Sequence, residues 1–233
     1  MFKKIILLLI VIFLTSCTNT NENTALLTKK VSYINNEVIS YTYEYDNNKI
    51  INESVNGNIS KTFEYDNNNN ISKEISNDIK VFNTYDGKLL VKRETFEKDV
   101  LMSSFEFKYE NDLKVESIYS SNNHKTVCKY EYDNKNLAKA DCSNDLNESN
   151  LEVNTYKDDK LIKTEIFING ELLQTNTYKY ENNQIVEKEN YFNKQNYKII
   201  ELYEYENSLL SKIYIQDGVN EKVLKEEYFY NKN

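Results

Sequence analysis

Short stretches in which hydrophobic and polar residues alternate recur along most of the chain. In the stretch Tyr43–Asp46, the rings of Tyr43 and Tyr45 are separated by Glu44. An alternation with a period of two places the rings on one face of a β-strand and the charges on the other. The pattern therefore predicts strands with one aromatic face and one charged face.

The tyrosine near the end of each stretch recurs at a nearly constant spacing, and we call these residues the anchor tyrosines. The successive gaps are 20, 20, 24, 23, 24, 24, 25 and 25 residues. A fixed period in this range indicates an array of one supersecondary unit. The anchors are Tyr45, Tyr65, Tyr85, Tyr109, Tyr132, Tyr156, Tyr180, Tyr205 and Tyr230. An aromatic residue also stands two positions earlier at Tyr43, Phe63, Phe107, Tyr130, Tyr178, Tyr203 and Tyr228.

A polar turn and a second strand follow each anchor. Asp86-Gly87 is such a turn, and the next strand begins with the aliphatic Leu89. All four glycines follow Asn or Asp, which is the strongest short-range signal for a β-hairpin. At other turns Asn supplies the positive φ angles, which it tolerates well. The sequence therefore predicts an all-β fold, a long antiparallel meander of about nine hairpin repeats and about eighteen strands.

The number of strands also bears on the shape of the sheet. Open twisted sheets of more than ~10 strands tend to curl, split or close. We expect a curled, coiled sheet with its aromatic face inward, because full burial of each anchor contributes ~1.5–3 kcal/mol. Each buried phenol then needs a hydrogen-bond partner, for which Asp and Asn of neighbouring turns are candidates. In this open sheet the edge strands Lys29–Ile34 and Val223–Tyr230 remain free to pair with another protein.

An outer-membrane β-barrel is the competing architecture, since it also uses alternating strands of about ten residues. A lipid-facing band cannot hold Lys and Glu in nearly every strand, and this chain places them there. The charge pattern therefore argues against a barrel embedded in lipid.

The N-terminus has the pattern of a signal peptide. Two lysines precede the apolar run Ile5–Leu14, which is about half the ~20 residues that a spanning helix needs. Leu14-Thr15-Ser16-Cys17 resembles the lipobox of bacterial lipoproteins, which implies cleavage before Cys17 and a lipid on its thiol. The alternative is an ordinary secretory signal with an incidental cysteine. We thus predict a signal-peptide helix at 1–16, a lipidated tether at 17–28 and a repeat domain at 29–233.

The repeat itself resembles a known family. The segment Thr62–Leu90 is similar to two successive units of bacterial YD-repeat, or Rhs-type, proteins, and Asp86-Gly87-Lys88-Leu89 matches the motif best. The resemblance implies β-hairpin repeats. Later units depart from it, since Glu110, Lys157 and Glu181 replace the aspartate. We infer no activity from the family, whose large members cut themselves near a proline, because this chain contains no proline.

The net charge of the chain bears on whether it binds nucleic acid. Without the two lysines of the signal, 27 of the 29 basic residues remain against 37 acidic ones, a net charge of −10. Nucleic-acid binding requires clustered positive charge, so this class is excluded.

Two cysteines, Cys128 and Cys142, flank the turn at 133–136. If the turn centres on Lys135, Tyr132 faces Ala138 and Cys128 faces Cys142. Directly opposed residues are close enough for a disulfide, and an extracytoplasmic location permits oxidation. We predict a disulfide within this hairpin, and two free thiols are the alternative.

Residues that would carry catalysis or bind metal are scarce. The single histidine, His124, lies in the polar connection 120–125, where a solvated side chain is expected. One histidine and two further cysteines form no tetrahedral zinc set. The Asp/Asn turns lack the spacing of a calcium loop. We therefore expect no metal, no cofactor and no enzymatic activity.

The tyrosines support two hypotheses: a ladder of core rings, or a ligand-facing aromatic surface that stacks on sugars or peptide, although the absence of Trp weakens the sugar version. The candidate residues are Tyr43, Tyr45, Tyr65, Tyr85, Tyr109, Tyr130, Tyr132, Tyr156, Tyr178, Tyr180, Tyr203, Tyr205, Tyr228 and Tyr230.

We expect a cell-envelope protein, anchored to the cell membrane or outer membrane through Cys17, that acts as a binding or scaffold surface for protein or glycan. The alternatives are a carboxylate-based hydrolase acting in the concavity of the sheet and an immunity or chaperone-type partner protein.

Overall fold

The structure, a computed structural model, describes residues 25–122 and 124–231. The predicted signal peptide and Cys17 lie outside these residues. The described chain forms eighteen β-strands, and none of it forms a helix long and apolar enough to cross a membrane. The strands are β1 (Leu27–Ile34), β2 (Glu37–Asp46), β3 (Lys49–Val55), β4 (Asn58–Tyr65), β5 (Ile71–Ser76), β6 (Ile79–Asp86), β7 (Leu89–Glu97), β8 (Val100–Glu110), β9 (Leu113–Ser121), β10 (His124–Asp133), β11 (Asn136–Asn144), β12 (Ser149–Lys157), β13 (Lys160–Ile168), β14 (Glu171–Glu181), β15 (Gln184–Phe192), β16 (Tyr197–Glu206), β17 (Leu209–Asp217) and β18 (Val223–Tyr230).

The all-β antiparallel meander is confirmed, but the sheet is closed. Each strand pairs with its neighbours in sequence, and β1 also pairs antiparallel with β18, from Leu27 opposite Tyr230 to Ser32 opposite Glu226. The expectation of a curled sheet with free edges is therefore wrong. An even number of alternating strands brings the last beside the first in antiparallel orientation, and closure gives both edges their hydrogen-bond partners. The edge strands Lys29–Ile34 and Val223–Tyr230 are thus unavailable to another sheet.

The barrel is hollow. Among the described strands, no Cα lies within 8 Å of a strand other than its two neighbours. Its buried hydrophobic side chains are Val31, Cys128 and Ile213, far fewer than opposed walls in contact would bury. Eighteen strands ~4.8 Å apart and tilted by ~40° give a backbone diameter of about 35 Å. A barrel of this size encloses an open lumen.

The aromatic face of the wall is the inner one. Across the strands, Ile213 lies opposite Tyr203, and Ser117 lies opposite Phe107 and Cys128. Seven of the eight most enclosed described residues share a face with the tyrosines in this way, and Val31 is the exception: the seven are Ser32, Ser117, Cys128, Thr164, Asn176, Asn190 and Ile213. Side chains converge on the concave side of a barrel and are more enclosed there, so this face lines the lumen.

Asparagine forms most of the tight turns. Asn47 and Asn48 have φ angles of 48° and 63°, and Asn182 and Asn183 have 48° and 66°. Two successive positive φ angles define the type I′ turn, whose twist matches that of the flanking strands. Asn tolerates this conformation, which explains how hairpins form with few glycines.

A β-bulge accompanies the anchor tyrosine in its hairpin. In the first repeat Glu44 lies opposite Asn52 and Tyr45 opposite Ile50, so Ile51 is the extra residue. The same shift in the cysteine hairpin places Tyr132 opposite Leu137, and the predicted pairing with Ala138 is wrong. The bulge lies between the turn and the cysteines, and it increases the local twist of the strand.

Closure of the barrel leads to a testable prediction about Val31, which is buried on β1 and lies between Ser40 and Glu227. Val31→Pro removes a backbone donor in the closing seam, leaves its acceptor unpaired and should lower the free energy of unfolding by about 1–3 kcal/mol. Urea unfolding followed by circular dichroism measures the loss. Val219→Pro, at an exposed position between β17 and β18, is the control. Equal stability of the two variants would contradict a closed barrel.

Candidate functional site: the tyrosine-lined inner face

The strands separate between successive hairpins, close to the anchor tyrosines. Pairing of β3 with β4 ends at Asn52 opposite Thr62, three residues before the anchor Tyr65. Beyond this point the carbonyl of Ile50 is bound by the Tyr65 hydroxyl, which donates a hydrogen bond to it at 2.8 Å. We call the line of contact between two neighbouring strands a seam. The phenol thus joins the two strands at a point of the seam where the backbone hydrogen bonds have ended.

The same bond repeats around the barrel. Eight of the nine anchors donate to a carbonyl of the preceding strand at 2.8–3.1 Å, while Tyr156 makes no such bond among the described residues. The predicted Asp and Asn partners are therefore wrong for these anchors. The separated seam presents a carbonyl within reach of the phenol, whereas a turn carboxylate such as Asp66 accepts N–H groups of its own turn. The pairs are Tyr45–Leu27, Tyr65–Ile50, Tyr85–Ile71, Tyr109–Leu90, Tyr132–Lys114, Tyr180–Leu161, Tyr205–Ile185 and Tyr230–Leu210.

A second row of tyrosines lies deeper in the lumen, two positions before the anchors. Tyr203 donates to Glu201 at 2.7 Å, Tyr228 donates to Glu226, and the hydroxyl of Tyr130 lies 2.8 Å from that of Ser117. Tyr178 is 3.5 Å from Thr164. Burial, and then the adjacent carboxylate, raises the pKa of Tyr203 and Tyr228 well above the usual range.

Tyr43 belongs to the second row but differs from these four. Burial, followed by the charge of Glu53, raises its pKa to about 12. Among the described residues its hydroxyl has no hydrogen-bond partner. The phenol therefore remains protonated at neutral pH and is able to donate to a ligand.

Charged residues of the inner face are engaged with one another. Glu74 lies 3.7 Å from Lys61 and 3.0 Å from Arg93. Glu226 lies 3.7 Å from Lys30, and Glu201 lies 3.9 Å from Lys225. Glu74, Glu201 and Glu226 thus already have cationic or phenolic partners.

The outer face carries its own ion pairs. Lys73 contacts Glu64 at 2.8 Å, and Lys179 contacts Glu187 at 2.7 Å. Lys108 contacts Glu116 at 2.5 Å, and this hydrogen bond lowers the pKa of the carboxyl. Charged side chains therefore occupy both sides of the wall.

Cys128 and Cys142 lie directly opposite each other on the inner face, and their sulfur atoms are bonded at 2.09 Å. The bridge joins β10 to β11 within one hairpin, as the sequence predicted.

The single histidine borders a cavity of about 360 Å³ but has no hydrogen-bonded carboxylate beside it among the described residues. His124 is the first residue of β10 and is exposed, and its Nδ1 lies 3.8 Å from Asp145 Oδ1, too far for a hydrogen bond. In the described part of the chain, no group of three or more His, Cys, Asp or Glu residues is arranged to hold a metal.

A cavity of about 720 Å³ lies on the inner face at the first two hairpins. It is lined by Lys30, Tyr43, Tyr45, Lys49, Glu53 and Tyr65, together with Leu27, Ile50 and the turn residues Asn48 and Asn69. The sequence indicated the tyrosines but not Glu53 or Lys30. Those two residues share a face with Tyr43 and Tyr41 through cross-strand register, which appears only once the strands are paired.

No family model and no curated protein matches the chain. Among solved structures, it resembles the crystal structure of a porin-like protein from Bacteroides vulgatus ATCC 8482, with a TM-score of 0.57 and 12% identity. The match covers 89% of this chain and 99% of that chain. At this identity the likeness shows the fold, a closed antiparallel β-barrel.

The phenol-to-carbonyl bond predicts that removing the hydroxyl group destabilises the protein at one anchor but not at another. Tyr205→Phe removes the 2.9 Å bond to Ile185 and should lower the free energy of unfolding by about 1 kcal/mol. Tyr156→Phe, at an anchor without this bond, should change it by a few tenths at most. Urea unfolding of both variants tests the difference, and equal losses would show that these hydroxyls do not support the seams.

The raised phenol pKa values predict alkaline unfolding. An unfolded tyrosine has a pKa of 10.0, whereas burial raises that of Tyr43 to about 12 and those of Tyr203 and Tyr228 further. Their contribution to stability is complete below pH 10 and is lost as the pH rises through the folded pKa values.

In the folded protein, we expect the inner-face phenols to ionise only above pH 11, as measured by absorbance at 295 nm, and the circular dichroism of the barrel to be lost over the same range. In urea, where the protein is unfolded, the same phenols should ionise near pH 10. Ionisation of every tyrosine near pH 10 with the barrel intact would contradict the burial of these phenols.

Proposed function

We propose that this protein is a lipid-anchored barrel of the cell envelope whose tyrosine-lined inner face binds glycan or protein. The YD-like hairpin repeat builds the wall, and a lipid on Cys17 would attach it to the cell membrane or outer membrane. The function is binding rather than catalysis.

The position of charge on the wall is the observation that carries this proposal. Lys73 and Lys163 lie within strands on the outer face, and Lys61 and Arg93 lie on the inner face. A lysine or arginine facing lipid costs about 2–4 kcal/mol near the bilayer midplane. Neither face suits a lipid-embedded band, so the barrel belongs in water and requires a separate anchor.

The predicted lipid supplies that anchor. Two or more acyl chains on one residue hold a protein stably at a membrane surface. The resemblance of Leu14–Cys17 to a lipobox supports the anchor from the sequence side. The likeness to a porin-like protein is compatible with a place in the envelope.

The exposure of the tyrosines supports binding. The anchors and the second row are partly exposed to the lumen, since a hollow barrel leaves one side of its inner wall accessible. Partly exposed aromatic rings on a concave surface provide stacking platforms with a polar edge. Glu74, Glu201 and Glu226 are engaged in ion pairs or with phenols, and Glu53 is the single carboxylate among the residues that line the cavity, whereas a glycosidase uses two.

A Cys17→Ala variant tests the anchor. Full-length protein expressed in a bacterial host should partition with membranes and metabolically incorporate a labelled fatty acid. The variant should lose the label and appear in the soluble envelope fraction. A Cys128→Ser/Cys142→Ser variant, which keeps Cys17, should retain both label and membrane association.

Binding is tested on the same preparations with envelope extracts and a glycan array. Capture of a glycan, or of a protein partner that purified barrel rebinds, supports the proposal. Membrane association without Cys17, or no binding in either assay, would overturn the corresponding half of it.

A further inference from the structure

We propose that the cavity at the first two hairpins binds one neutral sugar unit of a glycan. This inference rests on the proposed binding function and gives it a place and a ligand class. Tyr43, Tyr45 and Tyr65 would stack on or border the sugar ring, and Tyr43 and Glu53 would bind its hydroxyl groups.

The cavity arises where the first hairpin separates from its neighbours. Pairing of β1 with β2 ends at Lys29 opposite Thr42, and pairing of β3 with β4 ends at Asn52 opposite Thr62. The wall thus opens on both sides of the β2–β3 hairpin. The resulting volume of about 720 Å³ lies within the ~300–1,000 Å³ typical of small-molecule sites.

The aromatic surface of the cavity is held in position before any ligand arrives. The hydroxyls of Tyr45 and Tyr65 donate to the carbonyls of Leu27 and Ile50, each at 2.8 Å. A ring fixed at both its Cβ and its hydroxyl loses little conformational freedom on binding, which favours affinity. A stacking ligand therefore meets preorganised rings.

Tyr43 distinguishes this seam from the others. In the second row, the hydroxyls of Tyr130, Tyr178, Tyr203 and Tyr228 lie against protein partners. Phe63 and Phe107 have no hydroxyl at this position. Among the described residues, Tyr43 alone in the second row combines a phenol without a protein partner with a place in the cavity.

The remaining polar groups suit a ligand with several hydroxyls. Glu53 accepts a hydrogen bond from Ser60 through Oε1 at 3.3 Å, which leaves Oε2 able to accept from a ligand. Asn48 and Asn69 border the cavity from two turns. Amides and carboxylates beside aromatic rings match the alternation of hydroxyl groups and apolar C–H faces on a sugar.

The two lysines that line the cavity, Lys30 and Lys49, already contact other protein groups, which favours a neutral ligand over an anion. Lys49 donates to Asn69 at 2.5 Å and lies 5.3 Å from the centre of the Tyr65 ring. Lys30 lies 4.7 Å from the centre of the Tyr41 ring and 3.7 Å from Glu226. An anionic ligand would have to displace these contacts.

The test uses the complete mature protein on an array of neutral, sialylated and sulfated glycans, followed by calorimetric titration with the best free oligosaccharide. Tyr43→Phe removes one hydroxyl without a protein partner, so the fold should remain intact. We expect it to weaken binding about five- to tenfold, as the loss of one hydrogen bond would. Glu53→Gln should weaken it as well.

Tyr156→Phe is the matched control, because it removes an anchor hydroxyl without a carbonyl partner at a distant seam, and its affinity should stay within twofold of the original. Neutral glycan binding that both cavity variants weaken supports the site. Neutral glycan binding that neither variant alters, or binding restricted to sulfated and sialylated glycans, overturns it. Rebinding of a purified protein partner without glycan binding overturns the sugar site while the proposed binding function stands. No binding of either kind overturns both.

Discussion

The requirement that every backbone N–H and C=O find a partner governs this structure. The chain meets it at two levels. At the level of the whole sheet, β1 pairs with β18, so neither terminal strand leaves an open row of donors and acceptors. At the level of the single seam, a phenol such as Tyr65 donates to a carbonyl beyond the end of the ladder. The recurring feature of the repeat, one anchor tyrosine per hairpin, is thus tied to the backbone in eight of the nine repeats rather than to a compact core.

This arrangement explains how a wall of thin, half-buried strands holds together around an open lumen. A compact domain buries large side chains completely, whereas the most enclosed residues here include Ser32, Thr164 and Asn176. Those small polar residues lie among larger side chains on the concave face. Ladder bonds, cross-strand pairs and the disulfide between Cys128 and Cys142 contribute stability locally, one seam at a time. Each strand therefore depends chiefly on its two neighbours, and closure links the seams into a single structure.

Because the wall does not fill its lumen, its inner surface is available for binding. Rings held at the hydroxyl end expose a face to the lumen, and charged residues such as Glu74 and Arg93 neutralise one another between them. Variation among the repeats then decides where a ligand fits. The second-row position contributes a free phenol at Tyr43, an engaged phenol at Tyr203 and no hydroxyl at Phe63. A repeat architecture can in this way keep its wall constant while it changes the chemistry of one seam.

The sequence by itself determined the strands, their number, the Asn-rich turns, the common face of the tyrosines and the opposition of Cys128 and Cys142. These features follow from local rules, a period of two along a strand and a positive φ in a turn, which act within one hairpin. Closure, the bulge that places Tyr132 opposite Leu137, and the carbonyl partners of the phenols were decided only by the tertiary structure. Closure joins distant parts of the chain, as Tyr230 meets Leu27, and the twist accumulated over eighteen strands cannot be read from any one repeat. The bulge lies within one hairpin, but it breaks the period of two from which the register was predicted, and the phenol partners lie across the gap between two hairpins.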